Sequence, residues 1–194
     1  MSWLYTIQKK VFTFIGDVKW SGILHPFWFT INAHNYRLKG SRYREIIKVI
    51  QPGDILLRRF EGYVDKWLIY GFWNHAGIYI GEDRVIHAIS EGVLNEDILD
   101  FMRTDHMTIL RKKKMTNKEM LKAILKAKNV VGSPYDFGFD FENANRFSCT
   151  ELISHCFKDV VVPKRNLLSL GKKVIVADDI FNSPELEVIW DSRT

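Results

Sequence analysis

Between Asn74 and Ile89 the side chains alternate in the manner of a half-buried β-hairpin. The run Asn74-His75-Ala76-Gly77-Ile78-Tyr79-Ile80-Gly81 meets Arg84-Val85-Ile86-His87-Ala88-Ile89 across Gly81-Glu82-Asp83, a natural turn. Ala76, Ile78, Ile80, Ile86 and Ala88, all even, are apolar, as a face laid on a core must be. Odd positions hold His75, Gly77, Tyr79 and His87. Keeping the even set together requires paired residue numbers to sum to an even value, and that register puts both histidines on the opposite face. With a three-residue turn, residue 75 faces 89 and lies diagonal to 87, with Cβ atoms about 7–8 Å apart. Gly77 then leaves open space for a ligand between two imidazoles, walled by Val85 and Ile89.

One histidine in such a strand reads as a hydrogen-bonded core ring. Two on one face read as a base and the group that orients it, provided a nucleophile exists elsewhere. Cys149 supplies one. Ser148-Cys149-Thr150-Glu151 has capping-box spacing, and Leu152, Ile153, Cys156 and Phe157 continue at helical period. Cys149 therefore opens a helix, where the positive dipole end favours thiolate and can draw a cysteine pKa from about 8.5 towards roughly 3.5–7.5. By itself such a cysteine would be a small buried hydrophobe; the histidine pair changes its meaning. His25, His34, His106 and His155 lack comparable context, and Glu91, also odd, is a reserve third member. Neither C-x-x-C nor H-E-x-x-H spacing occurs, so no metal is expected, and no organic cofactor either.

The remaining chain sets the frame. Its 194 residues suit one core, and 46% hydrophobic with 26% charged residues is ordinary for a folded protein. Two cysteines seven apart on one helix lie about 10 Å from each other, beyond disulfide reach. Free thiols make the cytoplasm the default compartment, and the order of apolar and basic residues at the start does not read as a secretory leader. The net charge of +5 suits anionic partners, yet no nucleic-acid motif appears. The dense run Arg111-Lys112-Lys113-Lys114 reads as a solvated junction between strand and helix.

Residues 1–50 read as an N-terminal extension and 51–194 as the main domain. Leu4, Ile7, Val11, Phe14 and Ile15 make a helical apolar stripe with lysines off it, expected to pack on the core. With Trp20, Phe27, Trp28 and Phe29 around His25-Pro26, residues 1–36 offer peripheral membrane contact as the second expectation. The spacing then predicts a helix at 42–50, a strand at Asp54–Phe60, the hairpin, a short helix near 97–103 and a strand at 107–111. Thr116-Asn117-Lys118-Glu119 opens a helix to about Val131, and strands follow at Val174–Val176 and Leu186–Trp190. Strands first and helices later indicate an α+β fold, an antiparallel sheet packed against helices.

Four islands carry a resemblance to a known group: Pro52-Gly53-Asp54-Ile55-Leu56, His75-Ala76-Gly77-Ile78-Tyr79-Ile80-Gly81, Tyr135-Asp136-Phe137, and Cys149-Thr150-Glu151-Leu152-Ile153. They resemble the circularly permuted papain-like thiol enzymes of the NlpC superfamily, YiiX-like branch. The resemblance implies a permuted papain-like fold, Cys149 as nucleophile, His75 as general base and His87 as the third polar group. His87 stands where YiiX-like relatives often carry Glu, whereas relatives similar to lecithin:retinol acyltransferase carry His there. Tyr135 is a candidate second oxyanion donor. The implied activity is thiol-dependent hydrolysis or acyl transfer on an amide, ester or thioester of a small-molecule, peptide or lipid substrate. A lipid acyl hydrolase at a membrane surface and a binding module that has lost its chemistry are the alternatives.

Overall fold

In the computed structural model the alternating hairpin lies inside a six-stranded antiparallel sheet of order β10-β7-β3-β4-β5-β6. The structure describes residues 3–17, 19–20, 29–30, 36–61, 71–139, 145–160, 165–167 and 172–194. The sheet strands are β3 (Ile55–Arg59), β4 (His75–Gly81), β5 (Arg84–Ile89), β6 (Gly92–Asp97), β7 (His106–Lys112) and β10 (Leu186–Asp191). Short pairs β1 (Lys19–Trp20) with β2 (Phe29–Thr30), and β8 (Arg165–Leu167) with β9 (Lys172–Val174), stand apart from it. Helices are α1 (Trp3–Asp17), α2 (Gly40–Val49), α3 (Ile98–Phe101), α4 (Asn117–Asn129), α5 (Cys149–Cys156) and α6 (Ala177–Phe181).

The α+β expectation holds, and so does the hairpin register. Gly77 pairs with His87 and Ile78 with Ile86, an even sum as parity requires. Glu82 and Asp83 both take φ of 54°, forming the tight reversal, and the register shifts at Gly81. The even face packs Ala76, Ile78, Ile86 and Ala88 against Leu152 and Ile153 of α5 and Ala123 and Ala127 of α4. The other face packs Tyr79 and Val85 against Ile98 and Phe101 of α3 and Ile46 of α2. Each face therefore has its own core.

Two capping boxes form as the sequence predicts. Thr116 N donates to Glu119 Oε2 at 2.8 Å, and Ser148 N donates to Glu151 Oε2 at 2.6 Å. The Pro52-Gly53-Asp54 island is a brace for the sheet: buried Asp54 takes two bonds of 2.8 Å from Arg111 on β7 and one of 2.7 Å from Gln51 N. Such bidentate pairing keeps a buried carboxylate satisfied.

One strand end needs correction and one strand was not foreseen. The strand read at Val174–Val176 ends at Val174, because Asp179 Oδ2 accepts from Val176 N at 3.0 Å and starts α6 there. β6, unread in the sequence, pairs along β5 from Arg84↔Asp97 to Ile89↔Gly92. Of the N-terminal stripe, Ile7 and Val11 are 39% and 48% exposed, and the side chains of Leu4, Phe14 and Ile15 lie outside the described residues. An adjoining side of α1 holds the main domain through hydrogen bonds, Tyr5 Oη to Tyr135 O and Gln8 Nε2 to Phe137 O, each 2.7 Å. Most of the aromatic segment 20–36 lies outside the described residues.

Candidate active site

His75 is the first residue of β4 and His87 stands diagonal to it on β5, so both rings rise from the odd face. The rings meet directly. His75 Nε2 lies 2.9 Å from His87 Nδ1, with the planes perpendicular. On the far side, His87 Nε2 lies 3.1 Å from Glu96 Oε2 of β6, an ion-pair distance whose N–H points off the line between the atoms. The resulting file runs His75, His87, Glu96 across three neighbouring strands.

Glu96, and not Glu91, stands against His87. Glu91 is exposed and accepts from Ser90 Oγ at 2.6 Å. Glu96 went unread because β6 did; once β6 is paired, Glu96 falls opposite Val85 and so on the histidine face. Arg58 was also missed. It pairs in register with His75, is buried, and its Cζ lies 4.1 Å over the Phe101 ring. Its Nη1 donates to Phe101 O at 2.9 Å and lies 3.9 Å from Glu96 Oε2. An arginine in a strand gives no signal of this kind; only the facing elements reveal it.

Gly77 does not open a ligand space. A Cβ there would sit 2.9 Å from Val85 Cγ1 and 3.0 Å from Phe101 Cε2. The glycine is needed because the Phe101 ring fills that gap and backs both imidazoles, at centroid distances of 5.9 Å to His75 and 5.2 Å to His87.

Cys149 opens α5 as expected, and its sulfur meets the backbone N–H of Ala76, the residue after His75. Among the described residues no hydrogen bond joins the sulfur to the His75 ring. Cys149 belongs to the buried cluster that includes Ala76, and the His75 ring packs on Phe101. Tyr135 packs beside the same core cluster as Cys149, on the loop where Phe147 N donates to Pro134 O at 3.1 Å. A cavity of about 120 Å³ lies between that loop and α1, lined by Tyr5, Lys9, Glu91 and Tyr135 among others.

Burial decides the charge states. It pushes the Cys149 thiol up to about 11, outweighing the N–H groups of Ala76 and Thr150 and the helix start. The sequence expectation of a thiol drawn down by the helix dipole is thereby reversed. Burial, then the Arg58 guanidinium, then His87 hold His75 well below the ordinary histidine value. His87 is lowered by burial and Arg58, with the Glu96 contact working against them. For Glu96 burial is the largest influence and works upward, yet His87, Arg58 and Arg103 together keep it below the usual carboxylate value. The resting site thus holds a neutral thiol, two neutral rings and an ionised carboxylate beside a guanidinium.

The profile of the permuted papain-like amidase family, YaeF/YiiX, C92, matches residues 49–190. The chain belongs to that family. Its members are described as permuted papain-like amidase enzymes, which makes this chain a hydrolase of the cysteine type. A crystal structure of the metalloprotein yiiX from Escherichia coli O157:H7 shares the fold, with a TM-score of 0.64 at 17% identity, covering 74% of this chain and 98% of that one. A search of curated proteins gave no match. The described residues here contain no group of three or more His, Cys, Asp or Glu able to hold a metal ion. His75 and His87 turn ring nitrogens on each other at 2.9 Å, which leaves no place for an ion between them.

Proposed function

We propose that this family member cleaves an amide through a Cys149 acyl-enzyme, with His75 as general base and His87 and Glu96 orienting it. The single observation behind this reading is the ring-to-ring contact of His75 and His87, ending on Glu96. An ionised carboxylate only accepts, so it favours the proton on His87 Nε2. A neutral His87 then presents a lone pair at Nδ1, His75 Nε2–H donates to it, and His75 Nδ1 is left bare as the basic atom.

In the first half-reaction the Cys149 proton moves to His75 Nδ1 while sulfur bonds to the carbonyl carbon. The negative charge that develops on oxygen is met by the Cys149 backbone N–H, with Tyr135 the candidate for a second donor; one such donor is worth roughly 2.7–4 kcal/mol. The C–N bond breaks as His75 returns the proton to the leaving amine. Water then gives a proton to His75 and attacks the thioester, and the carbon–sulfur bond breaks to restore the thiol. A second nucleophile in place of water would make the same site an acyltransferase. The neutral resting thiol means that proton transfer accompanies attack instead of preceding it.

Intact-mass spectrometry after exposure to mixed peptide and lipid extracts tests the reading. The expected result is an acyl adduct on the wild type that is absent from Cys149→Ala, its mass naming the acyl group. Equal adduct or equal turnover in Cys149→Ala would remove Cys149 from the chemistry.

A further inference from the structure

We propose that the outer face of α4, together with α1, docks on an anionic phospholipid surface. This goes beyond the hydrolytic reading and does not depend on the role given to Cys149.

α4 buries Ala123, Ile124 and Ala127, yet Leu121 and Leu125, one turn apart, remain 55% and 58% exposed. Lys118, Lys122 and Lys128 are exposed beside them. At 100° per residue these five positions share an arc of about 120°. No carboxylate of α4 falls in that arc: Glu119 lies outside it and is engaged with Thr116. A merely solvated helix face mixes both signs of charge. A face with lysines of one sign around apolar side chains is the pattern of an interfacial helix. Lys113 and Lys114, exposed just before α4, extend the positive field.

α1 repeats the pattern. Ile7 and Val11 are exposed one turn apart with Lys10 exposed between them, while Tyr5 and Gln8 hold the domain. The two helices meet at one place. α4 runs through Gly132 into the 133–137 loop, and α1 bonds the carbonyls of Tyr135 and Phe137 in that loop. Tyr135 packs beside the Cys149 cluster, so a bilayer engaged by both helices would lie near the site. No helix among the described residues is long and apolar enough to cross a membrane. Contact in the plane of the surface is what these helices offer.

The test is co-sedimentation of the full chain with vesicles of equal parts phosphatidylglycerol and phosphatidylcholine, and with phosphatidylcholine alone. Cys149→Ala serves as the parent, so a failure of the catalytic reading leaves the result unaffected. Binding to the anionic vesicles is expected, weakening as salt rises. Lys118→Gln, Lys122→Gln and Lys128→Gln combined should weaken it by roughly a hundredfold, about fivefold per charge lost. Leu121→Gln with Leu125→Gln, and separately Ile7→Gln with Val11→Gln, should each remove the binding that survives high salt. Turnover of a soluble substrate by the same substitutions in the active enzyme should match wild type. Absence of vesicle binding at low salt overturns the proposal, as does unchanged binding by the α4 variants. Binding of polyglutamate but not vesicles, with the same lysine dependence, would overturn the lipid assignment and make the face a protein-docking one.

Discussion

His75 and His87 stand ring to ring, Nε2 to Nδ1 at 2.9 Å, and this contact commits one nitrogen of each ring before any substrate arrives. Glu96 faces the third at 3.1 Å, and His75 Nδ1 stands outside this file. A histidine serving as the orienting group passes the influence of a carboxylate one ring further. In the proposed mechanism the base is thus tuned by two charged groups it does not bond, Glu96 and Arg58.

Those two groups should move the acid limb of the kcat/KM profile in opposite directions. Glu96→Gln removes the charge that favours protonated His87, so the limb shifts to lower pH while activity falls by about tenfold or more. Arg58→Met removes the cation that opposes protonation of both rings, so the limb shifts to higher pH. Shifts of the same sign in the two variants would contradict the assignment.

Gly77→Ala should lower stability by about 1–3 kcal/mol, read from urea unfolding, because its Cβ meets Val85 and the Phe101 ring. Turnover should fall with it, since a displaced Phe101 moves both imidazoles. A variant as stable and active as wild type would mean the ring is not held there.

Alkylation of Cys149 by iodoacetamide should be slow at neutral pH and climb well beyond the ordinary thiol range, following a group held up to about 11. Cys156, pushed up to about 12 by burial, should be slower still. Peptide mapping after timed labelling separates the two sites. A Cys149 rate already at its plateau below pH 7 would indicate a preformed thiolate–imidazolium pair and end the neutral-site description.

Acid should destabilise the fold early. His75, His87 and His155 all have folded values lowered first by burial. An unfolded chain therefore binds protons near pH 6.5 that the folded one refuses. The stabilisation is whole above that value and is lost as pH falls from it towards the folded values. Urea midpoints should drop from pH 7.5 to pH 5.5, less so in His87→Gln; a flat profile with no difference between the two proteins would refute the linkage.

The sequence resolved what depends on local period and parity. Even apolar positions at 76, 78, 86 and 88 determined the hairpin register, and hence that His75 and His87 share a face. Ser148 and Glu151 located the start of α5 to the residue. β6 escaped because Leu94, Asn95, Glu96 and Asp97 lack alternation: Asn95 and Glu96 are matched to partners on β5 and β3 that no local pattern shows, and Asp97 caps α3. Glu96 and Arg58 were hidden with it. Phe101 filling the space over Gly77 was illegible for a related reason: a glycine in a strand signals a close approach without saying of what. The thiol's direction of shift failed on magnitude, since dipole and burial oppose each other and only the packed site says which is larger.

The hydrogen bonds from Tyr5 and Gln8 of α1 to the domain end on carbonyl oxygens of the chain itself, at 135 and 137. These two bonds read the path of that loop, while the Tyr5 ring also sets its edge against Phe137 at 6.1 Å between centroids. A substitution at Phe137 would strip that ring contact and keep both acceptors, whereas a single inserted residue would carry both acceptors out of reach at once.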